Sequence, residues 1–148
     1  VMMSQYQKIM VAIDLSEDST PVVERARAIA GQSGAELHLV HVIEPLSFAY
    51  GGDIPMDFSG IQEEIHQQAT QQLQRFADTH GVDAGHQHIL LGKPEVEIHA
   101  QADDLGVELI VVGSHGRYGL ALLMGSTANG VLHGANCDVL AVRVGNTK

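Results

Sequence analysis

Hydrophobic residues fall along this chain in five short runs, separated by stretches of longer period, and that alternation predicts a fold before any motif is considered. The runs are residues 8–13 (K-I-M-V-A-I), 36–43 (E-L-H-L-V-H-V-I), 86–91 (H-Q-H-I-L-L), 107–112 (V-E-L-I-V-V) and 139–144 (V-L-A-V-R-V). Each is largely continuous rather than alternating, the pattern of a strand whose sheet is covered on both faces. Between them apolar positions recur at helical spacing: Val22, Val23, Ala26, Ile29 and Ala30 within 20–32, Ile61, Ile65, Ala69, Leu73 and Phe76 within 61–79, and Val96, Ile98, Ala100 and Ala102 within 94–105. The first of these helices carries Pro21 in its opening turn and closes at Gly34, as a left-handed cap would. A fourth helix is expected over 126–133, ending at Gly134, while 48–60 has no period and predicts a loop placed to act as a lid. The order βαβαβαβαβ calls for an α/β fold, an open doubly wound five-stranded parallel sheet with right-handed crossovers and helices on both faces.

Composition narrows the partners more than the fold. The 148 residues suit one domain, 1–148 with a core from about 6 to 144, and 45% hydrophobic against 18% charged residues excludes a disordered chain. A net charge of −10, from 18 acidic against 8 Lys and Arg residues, argues against nucleic acid or an anionic membrane as partner. No run of 18 apolar residues and no charged-then-apolar leader is seen, so neither a membrane span nor a signal peptide is expected. The lone Cys137 allows no disulfide within the chain, which fits a cytoplasmic location, and it reads as a small buried hydrophobe beside the last strand. Small ligands and protein partners remain open.

Candidate chemistry gathers in 111–132, V-V-G-S-H-G-R-Y-G-L-A-L-L-M-G-S-T-A-N-G-V-L. Gly113, Gly116 and Gly119 let a ligand approach the backbone without meeting a Cβ, and Gly125, Ser126 and Thr127 open a helix whose unpaired N–H groups favour an anion. Arg117 supplies a fixed positive charge in the same loop. The pattern is that of a phosphate cradle, although similar strand-to-helix loops also occur without a ligand. Asp14 follows the first strand; it is either a loop or N-cap residue or, if strands one and four are neighbours at the point where the winding reverses, a carboxylate facing the glycine loop. The second arrangement suits a nucleotide.

Several landmarks together resemble the universal stress protein family: I-D-L-S at 13–16, H-V-I at 41–43, G-x-P at 92–94, G-S-H-G at 113–116 and G-S-T at 125–127. The resemblance spans about 6–144. It implies strand order 3-2-1-4-5, an adenine nucleotide alpha hydrolase-like fold and, in one branch of the family, an ATP site. There Asp14 would hold the ribose side, the Val42 backbone would read the adenine edge, and Ala12 and Ile13 would belong to the nucleotide-binding set. Gly113, Gly116, Gly125 and Ser126 would hold ribose and phosphates, with Ser114, His115, Arg117 and Thr127 also counted as nucleotide-binding. The expected ligand is ATP with Mg2+. One departure stands out: the ATP-binding branch resembles G-x2-G-x9-G-[ST], whereas eight residues separate Gly116 from Gly125 here, so the path of the loop must tighten.

Other chemistries fit less well. The nine histidines look scattered, Cys137 offers no paired thiolate, and His86 with His88 on one strand face gives two ligands only, so no metal site is expected. No G-x-S-x-G elbow is present and Ser114 merely precedes His115 in sequence. A phosphorelay receiver would need an Asp ending strand three, where Leu90, Leu91 and Gly92 stand instead. No residue is an obvious water-activating base, so at most slow ATP hydrolysis is expected. Two classes remain: a nucleotide-binding stress or regulatory module, and a dimeric interaction protein working through unknown protein partners without nucleotide. By resemblance a homodimer would pair Val139, Leu140, Ala141, Val142, Arg143 and Val144 of two chains antiparallel along the last strand, an edge either ready for such pairing or blunted by Arg143.

Overall fold

A computed structural model describes residues 6–15, 19–43, 59–115, 131 and 134–144. Its elements run β1 (Lys8–Ala12), α1 (Ser19–Ser33), β2 (Glu36–Ile43), α2 (Ser59–His80), a 3-10 turn (Ala84–His86), β3 (Gln87–Leu91), α3 (Pro94–Leu105), β4 (Leu109–His115) and β5 (Asp138–Val144). The strands form one sheet in the order β3-β2-β1-β4-β5, every pairing parallel. Fold class and strand order are those anticipated.

Successive residues of each central strand enter different cores. Ile9, Val11, Leu39, Leu109, Val111 and Val142 pack on one side with Val22, Val23 and Ala26 of α1 and Leu73 and Ala77 of α2. Met10, Val40, Ile110 and Val112 pack on the other with Ile98 and Ala102 of α3 and with Val131. Two dry faces therefore explain why the apolar runs are unbroken. The helices are less apolar than their spacing suggests. Ala69, Leu73 and Ala77 form the buried stripe of α2 while Ile61 is exposed, and in α3 Ile98 and Ala102 are buried while Val96 and Ala100 face solvent.

Several boundaries shift for physical reasons. Helix α2 begins at Ser59, inside the stretch expected as loop. His86 lies in the 3-10 turn, so β3 starts one residue later. Gly34 takes φ +70 after α1, as expected of a cap. Gly134, expected as the end of a helix, is itself helical and has no positive φ; a Cβ there would stand 2.5 Å from His99 Cε1, so the glycine serves close approach. The largest change is in β4, which starts at Leu109 rather than 107 and runs through Gly113, Ser114 and His115, residues expected in the loop. Pairing with β5 carries it that far, Gly113 opposite Val142, Ser114 opposite Arg143 and His115 opposite Val144.

Candidate functional site

Register determines what meets at the carboxyl end of the sheet. Strands β1 and β4 are neighbours, with Ile9 opposite Leu109, Met10 opposite Ile110 and Val11 opposite Val111. Continuing that register past the end of β1 sets Ile13 level with Gly113 and Asp14 level with Ser114. The crossover from β1 leads to β2 on one side and that from β3 to β4 on the other, so the winding reverses between β1 and β4. In open α/β sheets this is where ligands sit. Ala12, Ile13, Asp14, Gly113, Ser114 and His115 are thus brought to one place, and Val42 lies one residue from the end of the adjoining β2. Gly116, Arg117, Gly125, Ser126 and Thr127 lie outside the described residues.

The chain end around Asp14 is held from two directions. Ser19, buried in the first turn of α1, donates its hydroxyl to Asp14 Oδ1 at 2.8 Å and accepts the Asp14 backbone N–H at 3.2 Å. The carboxylate itself is exposed at the sheet end. His41 Nδ1 donates to the Ile13 carbonyl at 2.8 Å, which fixes that ring's tautomer and ties β2 to the end of β1. Between these ties Leu15 takes φ +67, a conformation that costs a non-glycine residue about 1–2 kcal/mol. Strain of that kind is held where surrounding contacts over-determine the turn. The site is a pinned carboxylate beside two strand ends, able to accept from hydroxyl groups or to face a cation.

Sequence reasoning passed over Ser19 and the role of His41. A serine five residues after Asp14 at a helix start was visible as a capping type, but its partner was not. It also passed over a group at the opposite end of the sheet. Glu36 and His38 of β2 and His86 before β3 place ligand-type atoms within 4.8 Å of one another. Burial pushes the His38 and His88 imidazoles below their ordinary pKa, so both are held as neutral bases.

At the last strand, Val139 and Leu140 are half-buried, Ala141 and Arg143 are exposed and Val142 is buried. Cys137 is half-buried against the Val131 and Ile98 core, where burial first, and then the carboxylates of Asp138 and Asp103, push its thiol up from its ordinary value. Among the described residues no helix is long and apolar enough to cross a membrane.

The family model described as Universal stress protein family matches residues 5–143. Universal stress protein A homolog 2 of Coxiella burnetii is 41% identical over 146 residues, covering 96% of this chain and 98% of that protein. The solved structure of the hypothetical protein MJ0577 superposes with a TM-score of 0.75 at 23% identity, over 97% of this chain and 99% of that one, a likeness of fold. A universal stress protein solved in complex with cAMP superposes with a TM-score of 0.65 at 26% identity, over 96% of this chain and 100% of that one.

Proposed function

The chain belongs to the universal stress protein family, and we propose that it serves there as a nucleotide-binding regulatory module in the stress response, taking ATP at the switch point between β1 and β4. The observation that carries the reading is the pairing of β1 with β4, which sets Asp14, pinned by Ser19, level with the Gly113–Ser114–His115 terminus of β4. A carboxylate there suits ribose hydroxyls, and the glycine-bearing segment after β4 suits phosphates. The neighbour solved in complex with cAMP supports an adenine nucleotide as the class of ligand. The retained glycines and Ser126 after β4 favour ATP with Mg2+, the Val42 backbone reading the adenine edge.

Isothermal titration of nucleotide-free protein with Mg2+ and ATP tests this reading directly. Saturable heat at one site per chain is expected, lost in the Gly116→Val variant. No heat and no thermal shift at millimolar ATP rejects it. The reading extends to a cytoplasmic homodimer joined along β5, which is an edge strand of the sheet. Sedimentation at micromolar concentration checks it: a dimer is expected, and a monomer alone removes the pairing.

A further inference from the structure

We propose that Glu36, His38 and His86 form a binding site for a zinc-type divalent transition-metal ion at the amino ends of β2 and β3, remote from the nucleotide end. Strand period places Glu36 and His38 on one face of β2. Pairing sets Val40 opposite His88, so the same register two residues earlier brings His86 opposite His38. The His38 and His86 rings lie 4.3 Å apart between centroids, and Glu36 Oε1 stands 3.2 Å from His38 Nε2. One ligand atom from each of the three residues falls within 4.8 Å of the others.

Those spacings are close to what the ion requires. Tetrahedral zinc holds N and O ligands at about 2.0–2.2 Å, which puts neighbouring ligand atoms about 3.4 Å apart. The Glu36–His38 pair already has that separation, and the exposed Glu36 and half-buried His86 can turn to complete it. Two imidazoles with one carboxylate select zinc, copper or nickel over magnesium or calcium, which prefer all-oxygen sites. Three protein ligands leave a fourth position for water. Lys8, paired with Glu36 across β1 and β2, is the opposing charge, and its ammonium is turned to the Leu105 carbonyl at 2.9 Å.

The surrounding hydrogen bonds supply the second layer that metal-bound histidines use. Without metal the chain runs in one direction: Gln101 Nε2 donates to His88 Nδ1 at 3.3 Å, His88 Nε2 to His38 Nδ1 at 3.1 Å, and His38 Nε2 to Glu36 at 3.2 Å. Every ring is then neutral, the protonation state that ligates. With the ion on His38 Nε2, the His38 proton sits on Nδ1 and is donated to His88 Nε2. His88 Nδ1 then donates to Gln101, whose amide needs only to rotate and present its oxygen. No net proton is taken up or released within the chain of rings, and His88 acts as a positioning residue.

Chelator-treated full-length protein, titrated with Zn2+ against a chromophoric chelator, tests the site. One equivalent is expected, with Co2+ giving a tetrahedral absorption band and Mg2+ not competing. Glu36→Gln and His86→Ala, at accessible positions that leave the fold intact by circular dichroism, should each weaken zinc about 10–100-fold. Imidazole resonances of His38 and His86 should shift first in long-range 1H–15N spectra, and zinc should raise Tm in the parent protein but not in the double variant. Equal affinity in parent and double variant, or first shifts at other histidines, would show adventitious surface binding and overturn the site. ATP titration of the same variants should be unchanged, which separates this outcome from failure of the nucleotide reading.

Discussion

The two ends of this sheet are assembled by different means. At the carboxyl end, Asp14 and the β4 terminus meet because the winding reverses between β1 and β4, and each partner is announced by its own short motif. At the amino end of β2 and β3, Glu36, His38 and His86 meet because two adjacent strands share a register and a face, with no motif at all. One end is kept in place by hydrogen bonds to backbone, from Ser19 and His41, beside a strained Leu15. The other is a relay of side chains that must all hold compatible tautomers. The ties from Ser19 and His41 act separately, whereas in a relay each bond orients and polarises the next, so losing one member disturbs the others.

The comparison holds only if both ends rest on one cooperative core, and the largest expected effect tests that. Leu73, 1% exposed under the β1 and β2 face, should cost about 2–5 kcal/mol on replacement by Ala, read from urea unfolding. Fluorescence and circular dichroism transitions that separate would break the shared core.

Asp14→Ala distinguishes the ends next. Loss of a charged hydrogen-bonding group should weaken ATP about 10–100-fold by titration while zinc affinity stays at the parent value. A parallel fall in both would mean that the ends are coupled. Gly134→Ala asks how closely the α3 face is packed: its Cβ would displace His99, whose Nε2 meets the Val131 carbonyl at 2.8 Å, at a cost of about 1–3 kcal/mol in urea. No change in midpoint would show that His99 moves aside freely.

The smallest effect concerns pH at the amino end of β5. Tyr6 donates to Asp138 Oδ2 at 2.6 Å, and this bond, with burial and the charges of Asp138, Cys137 and Glu108, raises its pKa above 10.0. Burial, with Asp138 and Asp103, raises Cys137 above 9.0. Both groups have folded values above their unfolded ones, so their contribution is present below about pH 9 and is lost as pH rises through the raised values. Because Tyr6 is largely solvated, the loss should be small. Urea midpoints should therefore decline slightly from pH 8 to 11, and a rise would contradict the assignment. Folded Cys137 should also react more slowly with a thiol reagent at pH 8 than the unfolded chain does.

What the sequence by itself determined was the layered architecture. Continuous apolar runs such as 107–112 can be satisfied only between two covered faces, and helical spacing at Val22, Val23, Ala26 and Ala30 supplies one cover, so periodicity alone dictates a parallel α/β sheet. Asp14 was legible as the first polar residue after the run 8–13, whereas Gly113, expected in a loop, lies inside β4. Tertiary structure decided the rest, since pairing is a relation between distant segments that no local pattern encodes. It extended β4 through His115, gave Asp14 its Ser19 partner, turned Gly134 toward His99 and left Ile61 and Val96 in solvent. It also drew together Glu36, His38 and His86, 50 positions apart at their ends, because strands laid side by side at fixed register convert sequence distance into contact.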